Sequence, residues 1–283
     1  MIDKVVLTHL EALFDQKVNS FQPLSGGDIN EVFRLDIKDQ RFVIKINNAS
    51  RFPAMFEAET KGLQVLSNNS TFSIPEVLYE GVFEDQAYLV MPFIDSRSKA
   101  ADFWEDFGLK LAALHKQTKP YFGLTHDNYI GSLPQYNSKE INAVNFYINQ
   151  RIQPQIKLAQ DSGFLFSGLA SFYKNCSKII PNEPSSLIHG DLWGGNYMVD
   201  QQGKPCLIDP AVAYAPREMD IAMMHLFGGF DPKVFHAYNE AFPLPSGWRD
   251  RLKLWQLYYL LVHLNIFGSS YFTSVREIIK NYQ

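Results

Sequence analysis

The run His189-Gly190-Asp191-Leu192-Trp193-Gly194-Gly195-Asn196, with Ile208-Asp209-Pro210 following it, combines residue types and spacing that could do chemistry. Transferring a phosphoryl group to a hydroxyl needs one carboxylate to orient the attacking oxygen and accept its proton. It also needs separate oxygen ligands that hold magnesium against the polyphosphate. Asp191 suits the first task as catalytic base, and Asn196 and Asp209 suit the second as metal ligands. The strand-like runs 197–199 and 206–208, joined by the polar turn 200–204, predict a hairpin that returns Asp209 beside Asn196. An ordinary Gly-rich turn next to a hairpin is the plain alternative, and the whole spaced set favours chemistry.

Upstream, Lys45 ends Val43-Ile44-Lys45 on a predicted strand, where it can pair with ATP phosphates. Glu59 on the following helix is the candidate to hold it, with Glu57 as the competing neighbour. Ser25-Gly26-Gly27-Asp28-Ile29-Asn30 lies where a nucleotide-covering loop belongs, and Gly26 and Gly27 would let backbone amides approach phosphate, although a plain hairpin turn reads the same way. Met91 to Phe93 would then be the hinge whose backbone meets adenine. Asp220 either accepts backbone hydrogen bonds from the catalytic loop or caps a helix.

The elements that must position these groups change character once along the chain. Strands are predicted over 33–37, 41–46, 76–83 and 87–91, interrupted by one helix over 54–67. Pro92 halts the last strand and marks the expected lobe boundary, giving an N-terminal lobe over 1–92 and a C-terminal lobe over 93–283. Beyond it, apolar residues at helical spacing predict helices over 103–117, 141–161, 168–180, 219–227 and 249–267. The expected class is therefore α+β: a small antiparallel-sheet lobe followed by a larger, mainly helical one. His115 and the aromatic stripe Trp255, Tyr258 and Tyr259 read as core rather than as catalyst or cofactor box.

Composition removes several classes. With 46% hydrophobic and 20% charged residues, 22 Phe and 14 Tyr, the chain folds without staples, and Cys176 and Cys206 lack metal or disulfide spacing. The formal net charge of -4 and scattered basic residues leave no stripe for nucleic acid. The acid-bearing N-terminus does not read as a signal peptide, and the apolar stretch 257–267 is too short and too interrupted to span a bilayer. A cytoplasmic protein without membrane partners is expected.

The 189–196 segment also resembles the kinase catalytic-loop pattern H-x-D-L-x-x-x-N. Gly190 replaces the arginine and Pro210 the phenylalanine of protein kinases, so the pattern looks like kinases of small metabolites and antibiotics that share the two-lobed protein-kinase-like fold. Over nearly the whole chain the sequence resembles the fructosamine kinase, or ketosamine-3-kinase, family. The match rests on Ser25 to Asn30, Phe56-Glu57-Ala58-Glu59, Leu114-His115, Phe122-Gly123-Leu124, Asp127-Asn128-Tyr129-Ile130-Gly131, Arg151-Ile152-Gln153-Pro154-Gln155 and, most specifically, the Trp-Gly-Gly filling of the catalytic segment.

The resemblance implies ATP- and magnesium-dependent phosphorylation of the third sugar carbon of ketoamines, after which the adduct sheds its sugar. Small ketoamines such as ribulosamines, erythrulosamines or fructosamines, or glycated proteins, are the implied substrates. By position it makes Asp191 the base, Asn196 and Asp209 the magnesium ligands, and Lys45 with Glu59 the phosphate clamp. Trp193 either stacks on the sugar or fills the core, and the segment 122–131 either shapes the acceptor pocket or sets turns. Two other readings stay open: an aminoglycoside- or choline-type phosphotransferase, and a silent kinase-like binding protein, against which the complete set of Asp191, Asn196, Asp209 and Lys45 argues.

Overall fold

A computed structural model describes residues 4–24 and 29–283. Helix α1 (Lys4–Phe14) leads into β1 (Ser20–Pro23), β2 (Glu31–Ile37) and β3 (Gln40–Asn48); α2 (Met55–Asn69) then precedes β4 (Tyr79–Phe83) and β5 (Gln86–Pro92). These strands form one antiparallel sheet in the order β1-β2-β3-β5-β4. The period-2 alternation of a strand decides which face each residue serves. Phe42, Ile44 and Ile46 of β3 and Tyr88 and Val90 of β5 pack under Val6 and Leu10 of α1. Ala87, Leu89 and Met91 pack instead against Phe56 and Leu63 of α2. Lys45, out of phase with Ile44 and Ile46, therefore points to the α2 side of the sheet.

The remainder is helical, with small two-stranded sheets inserted. It contains α3 (Phe103–His115), β6 (Asn128–Ile130), β7 (Leu133–Gln135), α4 (Ala143–Asn145), α5 (Gln153–Asp161), α6 (Leu169–Ile179), β8 (Ser186–Ile188), β9 (Tyr197–Val199), β10 (Pro205–Leu207), β11 (Ala213–Ala215), α7 (Glu218–Phe227), α8 (Pro232–Ala241), α9 (Trp248–Phe267) and α10 (Phe272–Asn281). The helix expected over 141–161 is not one regular α-helix: a π-helical stretch, Phe146–Ile152, joins α4 to α5. Pro154 supplies the reason, because proline cannot donate to the carbonyl a turn earlier and its ring crowds that position. The Gln153 amide reaches back to Ile148.

Helix α9 is the central post of this half. Leu254, Trp255, Leu257, Tyr258 and Leu261 are buried among residues of α5, α6, α7 and α10. A second cluster joins α3 to α8 and to the catalytic segment through Leu192, Val199 and Leu207. At Gly108 the backbone of α8 comes so close that a Cβ would sit 2.3 Å from the Val234 carbonyl oxygen. Helices α1, α8 and α10, strand β1 and the small sheets β6–β7 and β8–β11 were not expected from the sequence, and the strand expected over 76–83 is ordered only from Tyr79. Among the described residues no helix is long and apolar enough to cross a membrane.

Candidate active site

Antiparallel pairing of β9 with β10, Tyr197 opposite Leu207, brings the ends of that hairpin together, and the Ile208 amide donates to the Asn196 carbonyl at 3.1 Å. Asn196 and Asp209 thereby face each other, with Asn196 Nδ2 3.5 Å from the Asp209 carbonyl oxygen. The same amide nitrogen donates to the Asp191 carbonyl at 2.8 Å and to its carboxylate Oδ2 at 3.0 Å. Asn196 Nδ2 is thus turned toward Asp191, which leaves Oδ1 facing the other way. Asp209 adopts a left-handed backbone at φ 54, a region that aspartate tolerates better than most residues.

Pairing of β8 with β11 holds the front of the catalytic segment, and the Ala211 amide donates to the His189 carbonyl at 2.9 Å. Gly190 sits at φ 86, and a Cβ there would lie 2.0 Å from the Ala211 carbonyl oxygen, which explains why no side chain stands here. Asp220, fully buried on α7, accepts from the amides of His189 and Gly190, each at 2.8 Å, and lies 3.2 Å from His115 Nε2. His189 Nε2 lies 2.9 Å from the Ile208 carbonyl and Nδ1 accepts from the Asp191 amide at 3.3 Å, so Nε2 carries the proton. Burial lowers its pKa against the pull of Asp220.

From the sheet, Lys45 Nζ donates to Glu59 Oε1 at 2.6 Å and to Asp209 Oδ1, joining the two lobes through one ammonium. Glu57 pairs instead with Lys61 on the helix surface, at 2.6 Å. Burial works against the Lys45 charge, but the Asp209 and Glu59 carboxylates outweigh it and its pKa moves upward. Burial, with Asp209 adding to it, raises Glu59 despite Lys45. The Asp191 carboxyl is pushed up to about 7, first by burial and then by the Asp209 and Asp220 charges, against the Asn196 hydrogen bond.

Lys45, Glu59, Asp191, Trp193, Asn196 and Asp209 all line one cleft of about 500 Å³ between the sheet and the helical lobe. Trp193 is not core. It stands 40% exposed, and its ring lies over Gly195, where a Cβ would meet ring carbons at 2.4 and 2.5 Å. Gly194 crosses the loop after α7 equally closely: its amide donates to the Gly228 carbonyl at 3.1 Å, and a Cβ on Gly229 would fall 2.6 Å from the Gly194 Cα. The filling of the catalytic segment is thus set by contact with a ring on one side and a backbone on the other.

The two expected hinge residues stand apart from this group. Met91 and Phe93 do not line the cleft: Met91 is buried in the α2 cluster, and the Phe93 amide is spent on the Arg41 carbonyl at 2.9 Å. Extension of the β5 ladder past Pro92 uses up that donor. The phosphate-approaching Gly26 and Gly27 lie outside the described residues. Sequence reasoning missed the far wall, where Tyr259, His263 and Ile266 of α9 face the cleft with Phe227, Phe267 and Tyr271. Tyr259, core by its sequence pattern, is both buried and cleft-lining, and the 259-263-266 helical spacing carries the signal.

Magnesium asks for oxygen donors and is usually held by one or two carboxylates together with substrate phosphates rather than by a protein cage. The set here fits that chemistry: one carboxylate, Asp209, stands beside an asparagine whose amide oxygen is turned away from Asp191. Among the described residues there is no group of three or more His, Cys, Asp or Glu side chains that could hold a metal by themselves.

The fructosamine kinase family profile matches residues 2–283. A probable ketoamine kinase of Enterococcus faecium is 40% identical over 278 residues, covering 95% of this chain and 98% of that protein. The chloroplastic protein-ribulosamine 3-kinase of Arabidopsis thaliana is 34% identical over 289 residues, covering 98% and 86%. A crystal structure from Thermobifida fusca that carries the name fructosamine-3-kinase superposes with a TM-score of 0.84 at 33% identity, covering 98% of each chain. Spectinomycin phosphotransferase, at a TM-score of 0.64 and 15% identity, shares the two-lobed kinase-like fold. On a match of this length, with the kinase-like arrangement of its cleft, the chain belongs to the fructosamine kinase family, whose members are phosphotransferases acting on sugar hydroxyls.

Proposed function

We propose that this chain uses ATP with magnesium to phosphorylate the 3-hydroxyl of the sugar in a ketoamine, in the repair of glycated amines. The observation that carries the reading is the convergence of Lys45, Glu59, Asp191, Asn196 and Asp209 on one cleft between two lobes. We place the lobe boundary at Pro92, where the sheet ends.

In this reading Lys45 keeps a donor for phosphate beside those given to Glu59 and Asp209, because an ammonium has three. Asp191, with a pKa near neutrality, takes the proton of the attacking hydroxyl as the new O–P bond forms and the bond from the γ-phosphorus to the leaving ADP oxygen breaks. Asn196 Nδ2 fixes the carboxylate that receives the proton. Magnesium, held by Asp209 and Asn196 together with the phosphates, would neutralise charge on the transferring group. Trp193 offers an aromatic face to the C–H surface of the sugar.

The aminoglycoside alternative calls for acidic side chains around the acceptor. Among the described lining residues the carboxylates are Glu59, Asp191 and Asp209, all committed to the clamp and the catalytic loop, while the far wall is aromatic. The deciding experiment incubates the protein with ATP, magnesium and a panel of ribulosamine, erythrulosamine, fructosamine, aminoglycoside and choline acceptors, and follows masses. A phosphorylated ketoamine that then loses its sugar phosphate is expected. Turnover of an aminoglycoside or choline alone would overturn the acceptor class, and nucleotide binding without transfer to any acceptor would leave the silent reading.

A further inference from the structure

The segment Asp127-Asn128-Tyr129-Ile130-Gly131 belongs neither to the catalytic loop nor to the lysine clamp. It forms β6 and the turn of the β6–β7 hairpin, the part of the helical lobe that reaches across to the other lobe. At its base Asn128 and Gln135, both buried, donate to the carbonyls of Val212 at 2.9 Å and Ala211 at 3.1 Å. Those carbonyls lie two and three residues after Asp209 in the chain. Gln135 also donates to Asn128 Oδ1 at 2.8 Å and accepts from Tyr258 at 2.6 Å, which anchors the base to α9. At the turn, a Cβ on Gly131 would meet Ile266 of α9 at 2.9 Å and Ile29 of the other lobe at 3.4 Å.

On its flank, among the described residues, the hairpin makes one directed bond to the opposite lobe: Tyr129 Oη donates to the Pro53 carbonyl at 2.9 Å. Helix α2 begins two residues later with no side-chain cap, from Ala54 in a left-handed conformation at φ 56. Met55 and Glu59, one turn apart on α2, both face the cleft. A displacement at the start of α2 is therefore carried by a stiff helix from Met55 to Glu59, about 6 Å along its axis.

We infer that the β6–β7 hairpin is a brace between the lobes, and that Tyr129 is a positioning residue that holds α2 where Glu59 meets Lys45. The inference rests on the proposed reading of Lys45 and Glu59 as the nucleotide clamp. It differs from a substrate-contact role, which Tyr129 could also be given because it lines the cleft. The hairpin bolts the segment after Asp209 to the start of α2, so one rigid piece sets both sides of the Lys45 ion-pair triad.

The test uses the full chain, with Tyr129→Phe, Glu59→Gln and the double variant. The first substitution removes one hydroxyl and keeps the ring. Hydrogen exchange over α2 in the nucleotide-free protein should speed up about 3- to 10-fold in Tyr129→Phe, while exchange in α9 stays unchanged. Affinity for a fluorescent ATP analogue with magnesium should fall about fivefold, the scale of one partly exposed hydrogen bond. In the Glu59→Gln background Tyr129→Phe should weaken the analogue no further, because its effect runs through Glu59. Unchanged exchange over α2, unchanged affinity, or an equal loss in both backgrounds each overturns the inference, the last by making Tyr129 a direct contact. None of these readouts uses phosphoryl transfer, so a failure to phosphorylate ketoamines would count against the proposed function and not against the brace.

Discussion

A carboxylate that must accept a proton near neutrality cannot be an ordinary surface aspartate. Burial moves Asp191 into that range, and Asn196 keeps it in one orientation. Replacing Asp191 with Asn should reduce kcat by about 10²- to 10⁴-fold, the scale of a lost general base, while affinity for magnesium–ATP changes by less than about threefold. Steady-state kinetics beside a fluorescent-nucleotide titration checks both halves. Asp209→Ala should do the reverse of the second half and weaken nucleotide binding itself. The cysteines give a prediction away from the site. Burial pushes the Cys176 thiol up to about 12 and the Cys206 thiol up to about 11, and both are free. Neither should react with a thiol reagent at pH 8 in the native state, whereas both should titrate after denaturant is added.

At the scale of elements, the cleft depends on how closely backbones approach. Gly108 lets α3 lie against α8 with the Val234 carbonyl where a side chain would be. Gly108→Ala should lower the thermal midpoint, at a cost of about 1–3 kcal/mol for overpacking, without changing nucleotide affinity. Calorimetry and the same titration separate the two. The elements also show what a sequence can and cannot reveal. Val43-Ile44-Lys45 and the 54–67 periodicity carry local signals, alternation and helical spacing, so the strand and helix bearing Lys45 and Glu59 were legible, whereas Glu57 competed with Glu59 until packing turned Glu59 to Lys45 and left Glu57 on Lys61. The hairpin of β9 and β10 was legible for the same reason. Strands β6, β7, β8 and β11 have three residues each, too few for alternation to show, and β8 and β11 are held by pairing across some 25 residues of chain, which no local pattern announces. The π-helical stretch needed the position of Pro154 to be weighed over the apolar spacing around it.

For the whole molecule, two lobes meet at a cleft crossed by Lys45 and by Tyr129. A ligand seated there binds the folded state alone, so saturating magnesium–ATP at about 100 times its dissociation constant should stabilise the protein by about 2.7 kcal/mol. For a chain of this size that is a rise in thermal midpoint on the order of 5 °C. Differential scanning fluorimetry should show the rise in the wild type and in Asp191→Asn, and its loss in Asp209→Ala. The far wall of the cleft was hidden from sequence reading for a reason of the same scale: Phe227, His263 and Tyr271 come from separate elements and meet only when α7, α9 and the turn before α10 pack.

The crossing of Gly194 against Gly229, with Trp193 laid over Gly195, also bears on how such a catalyst can diverge. Gly195 and Gly229 admit no side chain without moving indole or backbone, and Gly194 only if its neighbour yields by a few tenths of an ångström, so the contour of the loop tolerates substitution poorly. Changes in which sugar or amine is accepted must then be written elsewhere, and Phe227, Phe267 and Tyr271, all partly exposed on the opposite wall, are where a new substrate range can be selected without disturbing the chemistry.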